Sequence, residues 1–429
     1  MWKLSNPLWK LCGGAKARDQ AVSAKFPQVP QLLRTTTVFI HPPLPPGGAE
    51  DAKGRDTMKF SCEKALLQGA INTAGRTVAA KSSIAALEGV LIEVTDGRLS
   101  LTGYNLETGI ETTLEVQTAE EGSIVLSPRL FGDIVRNLPD DVVTCTVRDQ
   151  NVNITCGPSD YNILGIPADE FPELPAVDDG NGFFIPQEKL KAMISQTIFA
   201  VSDNESRPIH TGSLFEIEGD TLTMVAVDGY RLALRREKLT STCGANGFSF
   251  VVPGTALREV EKICDHCDEP VSVTQGARHI LFQTGNTVLI ARRLEGEFLN
   301  YRQTIPRQNS VKVFGDKRAL QTCVDRVSLI ISEKLKSPLR CTFGDGELQV
   351  RTKTAVGSAF DSCPIEGSGG GLEIGFNDRY LTEAMRAAPA DRLCLELSKS
   401  TSPCLILPED ESDESFLYMV LPVRLKAGE

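Results

Sequence analysis

From Met58 onward the chain carries one strand–turn–strand pattern three times, at 89–101, 212–224 and 338–350. Each copy alternates apolar and polar residues around a Gly/Asp turn (Asp96-Gly97, Gly219-Asp220 and Gly344-Asp345-Gly346), which is the hairpin signature. A second shared segment follows each time, a short strand running into a helix, at 123–135, 248–260 and 372–385. Corresponding turns stand about 125 residues apart, the spacing of whole domains rather than of solenoid repeats. A further helix precedes each hairpin, at 64–74, 187–199 and 317–331, with apolar residues at helical spacing. The pattern predicts an α+β chain of three repeated domains, each with two helices packed on antiparallel sheets. The expected boundaries are 58–178, 179–308 and 309–429.

Residues 1–57 stand apart. They hold Pro-rich and Gly-rich patches around Pro42–Gly48 and no sustained period, so they read as a disordered N-terminal extension. Their basic, acid-poor start gives an organellar targeting peptide as the weaker reading, and Met58 is read as the true start. No stretch approaches the ~20 apolar residues of a membrane helix. The twelve cysteines are scattered singly, which fits reduced thiols in a cytoplasm better than a disulfide framework.

Net charge is −11, a balance that argues against nucleic-acid binding until its distribution is considered. The six helical spans together carry +5, leaving −20 for everything else from Met58 onward. Catalytic motifs are wanting. Cys264 and Cys267 form a CxxC without a second ligand pair, so no metal is expected. The glycines at 367–371 lack the Lys-Ser/Thr of a phosphate loop, and the acidic run 409–414 reads as a solvated loop. With four histidines and no nucleophile–base pattern, neither enzyme activity nor a cofactor is expected.

Four segments in register resemble the bacterial sliding clamp family, the beta subunit of the replicative DNA polymerase: Met58-Lys59-Phe60, Asp228-Gly229-Tyr230-Arg231-Leu232, the stretch 295–301 and the ending 418–425. Two departures are visible: Leu299 stands where the family usually has Pro, and 426–429 run past its usual terminal Leu. The resemblance implies a ring formed by a head-to-tail homodimer, its helices lining a channel for double-stranded DNA without sequence preference. It places Lys81, Arg129, Arg136, Asn204 and Arg207 at DNA-facing positions. It sets Tyr161 and Ile163 opposite Leu329 and Ile330 at the dimer interface. It also implies a peptide pocket used by the polymerase catalytic subunit, the clamp-loader ATPase and repair proteins. That pocket maps to His210, Val227, Gly229, Tyr230, Arg231, Leu232, Gln303, Thr304, Asn377, Tyr380, Met419, Leu421, Pro422, Val423 and Arg424. Leu and Val would line an apolar slot, with Arg231, Tyr380 and Asn377 as polar anchors at its rim. Two alternatives stay open: a paralogue given over to repair or drug resistance, and a hydrolase on a repeated α+β scaffold.

Overall fold

The computed structural model describes residues 57–425 apart from 178, 179, 246, 333 and 336. The expected extension, Thr57 aside, and residues 426–429 lie outside the described residues.

Three units of like order follow one another. In the first, Thr57–Glu63 leads into α1 (Lys64–Ala74), then the hairpin Val90–Thr95 and Arg98–Tyr104, then Thr108–Glu115 and Gly122–Leu126. Helix α2 (Pro128–Asn137) and three closing strands, Val142–Arg148, Asn151–Cys156 and Ser159–Leu164, complete it. The second unit repeats this order around α3 (Gln187–Ser195) and α4 (Gly254–Ile263). A single-turn α5 (Tyr301–Thr304) follows, and the third unit is built around α6 (Lys317–Ser328) and α7 (Asp378–Ala387).

The helices form where the apolar period demands them. Leu67, Ala70, Ile71 and Ala74 are the buried face of α1; Leu320, Cys323, Val324 and Val327 are that of α6. Asp316 caps α6 by accepting from the Ala319 amide at 2.8 Å, and Asn377 caps α7 by accepting from Tyr380 at 3.1 Å. The first hairpin turns at Asp96 and Gly97, both at positive φ (52° and 77°), the twist that two-residue hairpins favour. In the third unit Ser337 donates to the Lys353 carbonyl and Thr352 to that of Pro338, which folds the segment back on itself at Gly346 (φ 73°).

Two expected helices end early, and one unexpected helix is added. The helix expected over 187–199 stops at Ser195 because the buried Thr197 hydroxyl bonds the Met193 carbonyl, and the chain resumes as a 3-10 turn at Ile198–Ala200. The helix expected over 317–331 stops at Ser328, whose hydroxyl bonds the Val324 carbonyl and leaves Leu329 outside the helix. The short α5 adds to the six expected helices; one turn is too brief to show a period.

Sheets run through the domain boundaries. The last strand of the second unit, Thr287–Arg292, pairs antiparallel with Thr108–Glu115 of the first, Thr287 opposite Thr112 and Ala291 opposite Thr108. The last strand of the third, Phe416–Val420, pairs in the same way with Arg231–Lys238 of the second, Arg231 opposite Val420 and Arg235 opposite Phe416. Side chains follow the strands across. Ile110 of the first unit joins the core of the second, and Ala226 and Ala233 of the second join the core of the third beside Tyr418.

The apolar segment Phe416 to Leu425 predicts a final strand over its whole length, but the strand ends at Val420. Pro422 has no N–H to continue the ladder, so the chain changes partners: Leu421 donates to the Tyr230 carbonyl at 2.9 Å, and Val423 to that of Gly375 at 2.8 Å. A Cβ at Gly375 would stand 2.5 Å from the Val423 carbonyl and 2.6 Å from Leu425 Cδ2. We therefore expect Gly375→Ala to detach residues 421–425 while leaving the third core folded. Amide exchange at Val423 should speed up by at least about tenfold, and unchanged exchange there would contradict this anchoring.

Candidate functional site

The seam between the second and third units gathers most of the expected pocket residues. Its centre is the turn between Thr221–Val227 and Arg231–Lys238, where Gly229 takes φ 92°, a conformation that suits glycine. Asp228 holds the turn shut. One carboxylate oxygen accepts from the Tyr230 and Arg231 amides at 2.8 and 3.0 Å, the other from Arg231 Nε at 2.8 Å. Arg231 also bonds Glu383 of α7, 152 positions away, and its guanidinium lies between the rings of Tyr380 (4.5 Å) and Phe199 (5.3 Å). Tyr230 stacks on Tyr380 with centroids 6.0 Å apart, and remains 61% exposed.

This geometry changes the role of one residue. Arg231 was expected as a polar anchor at the rim, but its side chain is 5% exposed and occupied by two carboxylates. A buried guanidinium needs such partners, because leaving it unpaired costs about 3–5 kcal/mol. It supports the rim from below. Asn377 is likewise engaged as the α7 cap, and burial first, then the charge of Asp228, keeps the Tyr380 phenol above its ordinary pKa.

Val227, Leu232 and Met419 are buried in one apolar cluster with Tyr301 and Leu405, flanked by half-buried Phe298, Ile305 and Leu407. Leu421 and Pro422 are half-buried; Val423, Arg424, Gln303 and Thr304 are exposed. His210 packs edge-on against Phe298 at 5.7 Å, and burial together with Arg207 pushes it below the usual imidazole pKa, so the ring is neutral at pH 7. The segment 295–301 ends with Tyr301 buried and donating to Glu216 at 2.6 Å, while Leu299 is exposed.

The expected DNA-facing residues are all exposed. Arg129 and Arg136 lie seven apart on α2, hence on one face, and Arg136 pairs with Asp133 at 3.0 Å. Asn204 and Arg207 share the loop between two 3-10 turns, where the Asn204 side chain accepts from the Ser206 amide at 3.0 Å. Arg258, Arg318, Arg379 and Arg386 are also exposed on the helices, and no motif in the sequence marks them. A cleft of about 510 Å³ opens between α3 and α7, lined by Gln196, Phe199, Lys317, Glu383 and Arg386 among others. It adjoins the Arg231 network through Phe199 and Glu383 and lies apart from the expected slot.

The expected interface residues belong to different domains. Tyr161 and Ile163 sit on Ser159–Leu164, a strand paired on one side only, with Asn151–Cys156. Leu329, 82% exposed, and half-buried Ile330 follow the end of α6. Among the described residues no strand pairing joins the two sets. The CxxC thiol Cys264 is buried, which pushes its pKa up to about 12 and keeps it protonated.

Family models described as the N-terminal, central and C-terminal domains of the DNA polymerase III beta subunit match residues 58–175, 184–300 and 302–424. The beta sliding clamp of Synechococcus elongatus is 31% identical over 378 residues, 86% of this chain and 100% of its own. A crystal structure of a putative DNA polymerase III beta subunit from Eubacterium rectale superposes with a TM-score of 0.81 at 32% identity, covering 86% of this chain and all of its own. The Pseudomonas aeruginosa sliding clamp bound to griselimycin gives 0.81 at 28% identity with the same coverage. Neither a specialised paralogue nor a hydrolase receives support from these likenesses. With three domain models in succession and a seam repeated between them, the chain belongs to the DNA polymerase III beta subunit family, the DNA sliding clamps, which are non-catalytic processivity subunits.

Proposed function

We propose that two copies of the chain, each with domains at 58–178, 179–308 and 309–429, close head to tail into a ring around duplex DNA. The carrying observation is the seam. Each seam joins the last strand of one domain to a hairpin-following strand of the domain before it. That leaves one strand of each kind over among the described residues: Ser159–Leu164, paired only with Asn151–Cys156, and the stretch 357–364, paired only with 347–354. Leu164, Val356, Phe360 and Leu329 stand 74, 69, 65 and 82% exposed at these places. A heterologous contact that uses two unlike edges closes only when the copies complete a circle. Unpaired edges are otherwise an aggregation hazard.

The sign separation of charge supports a channel that holds phosphate loosely. Lys81, Arg129, Arg136, Asn204 and Arg207 would face the duplex, giving nonspecific contacts weak enough to slide. Retention would come from topology. The surface around Tyr230, Tyr380 and 421–424 would take short peptides of the polymerase catalytic subunit, the clamp-loader ATPase and repair proteins. Tethering makes modest affinity sufficient, since a short linker holds its partner at millimolar effective concentration.

Two outcomes are expected. The purified chain should be a dimer by size exclusion with light scattering, and Ile163→Glu or Leu329→Glu should yield folded monomers, because each buries an unpaired charge in the apolar contact; a wild-type monomer at micromolar concentration would count against the ring. Truncation after Val420 should keep the dimer yet weaken a fluorescein-labelled, polymerase-derived clamp-binding peptide by about tenfold or more. Unchanged peptide affinity after truncation would put the slot elsewhere.

A further inference from the structure

We propose that Glu383 is a positioning residue for the peptide slot and that Arg379 makes the slot responsive to DNA in the channel; this rests on the clamp reading above. Glu383 is shared by two arginines. One is Arg231, buried beneath the Tyr230–Tyr380 stack; the other is Arg379, one turn earlier on α7, bonded at 2.9 Å and 65% exposed. From Arg379 the contacts are continuous: Glu383, Arg231, then Tyr380 and the exposed Tyr230 on one side and Asp228 on the other.

The exposed end lies where DNA is expected. Arg379 is close enough to feel the charge of Asp203, which adjoins Asn204 in the loop proposed to face the duplex. Burial raises the Glu383 carboxyl, and the bonds from Arg231 and Arg379 more than reverse this, so it is ionised and divided between them. A phosphate near α7 competes for Arg379, the partner more easily drawn away because it is exposed. Glu383 then bonds Arg231 alone, and a charge-assisted bond no longer divided holds the guanidinium more tightly against Tyr380. The slot rim stiffens, and a peptide loses less freedom on binding. Linkage makes the effect reciprocal: bound peptide favours DNA to the same degree.

The test measures polarisation of the labelled polymerase-derived peptide on the full chain, with and without a short linear DNA duplex in excess. For the wild type, duplex should tighten peptide binding by about fivefold, the low end of known couplings. Arg379→Ala should bind peptide without duplex as tightly as the wild type does with it, and should ignore duplex. Glu383→Gln should bind peptide more weakly and also ignore duplex, while light scattering still shows the wild-type assembly. Wild-type affinity indifferent to duplex, or Glu383→Gln binding and responding like the wild type, would overturn the inference. A wild type that binds no peptide at all would instead overturn the slot reading on which it rests.

Discussion

One backbone contact organises this chain: the antiparallel pairing of a domain's last strand with a strand of the domain before it. It occurs twice, at Thr287–Arg292 with Thr108–Glu115 and at Phe416–Val420 with Arg231–Lys238. Because the hydrogen bonds run through, neighbouring domains share one sheet, a nine-stranded one across the first boundary and a ten-stranded one across the second. Side chains pack across the joints as well: buried Thr112 and Thr287 meet at 3.0 Å in the first, and half-buried Phe199 packs edge-on to buried Tyr418 at 5.3 Å in the second. A joint built this way sets orientation by register. A one-residue slip would turn every side chain to the wrong face.

The second joint does more than connect. Its strand ends at the Asp228-Gly229 turn, and the extra chain past Val420 is caught between Tyr230 and Gly375. An exposed aromatic stack, a buried arginine and residues 421–425 therefore meet at one place. That is the arrangement expected of a binding surface pre-shaped by its scaffold. Buried ion pairs are weak evidence for stability, since desolvation offsets much of their attraction. Their value at Arg231 is positional.

Much of this was legible in the residues. The three hairpins and the helix cores follow from periods of 2 and 3.6, and the repeat was visible because Gly/Asp turns recur at a fixed spacing. What was not legible depended on long-range partners. Glu383 sits 152 positions from Arg231, so nothing local marked Arg231 as buried rather than free. Thr197 ended α3 through a side-chain bond that competes with the helix, and Pro422 forced the terminal segment to change partners; both are local effects that periodicity does not weigh. The sheet seams themselves could not be read, since strand pairing between domains leaves no pattern in either strand beyond its own alternation.

Encirclement is a topological property, and retention on DNA measures it most directly. The labelled chain, assembled on a nicked circular duplex with the proposed clamp-loader ATPase and washed at high salt, should stay with the circle, because a closed ring does not depend on screened phosphate contacts. Cutting the circle once should release it at the same salt. Equal loss from circular and linear DNA would contradict encirclement and reduce the chain to an ordinary, charge-held DNA-binding protein.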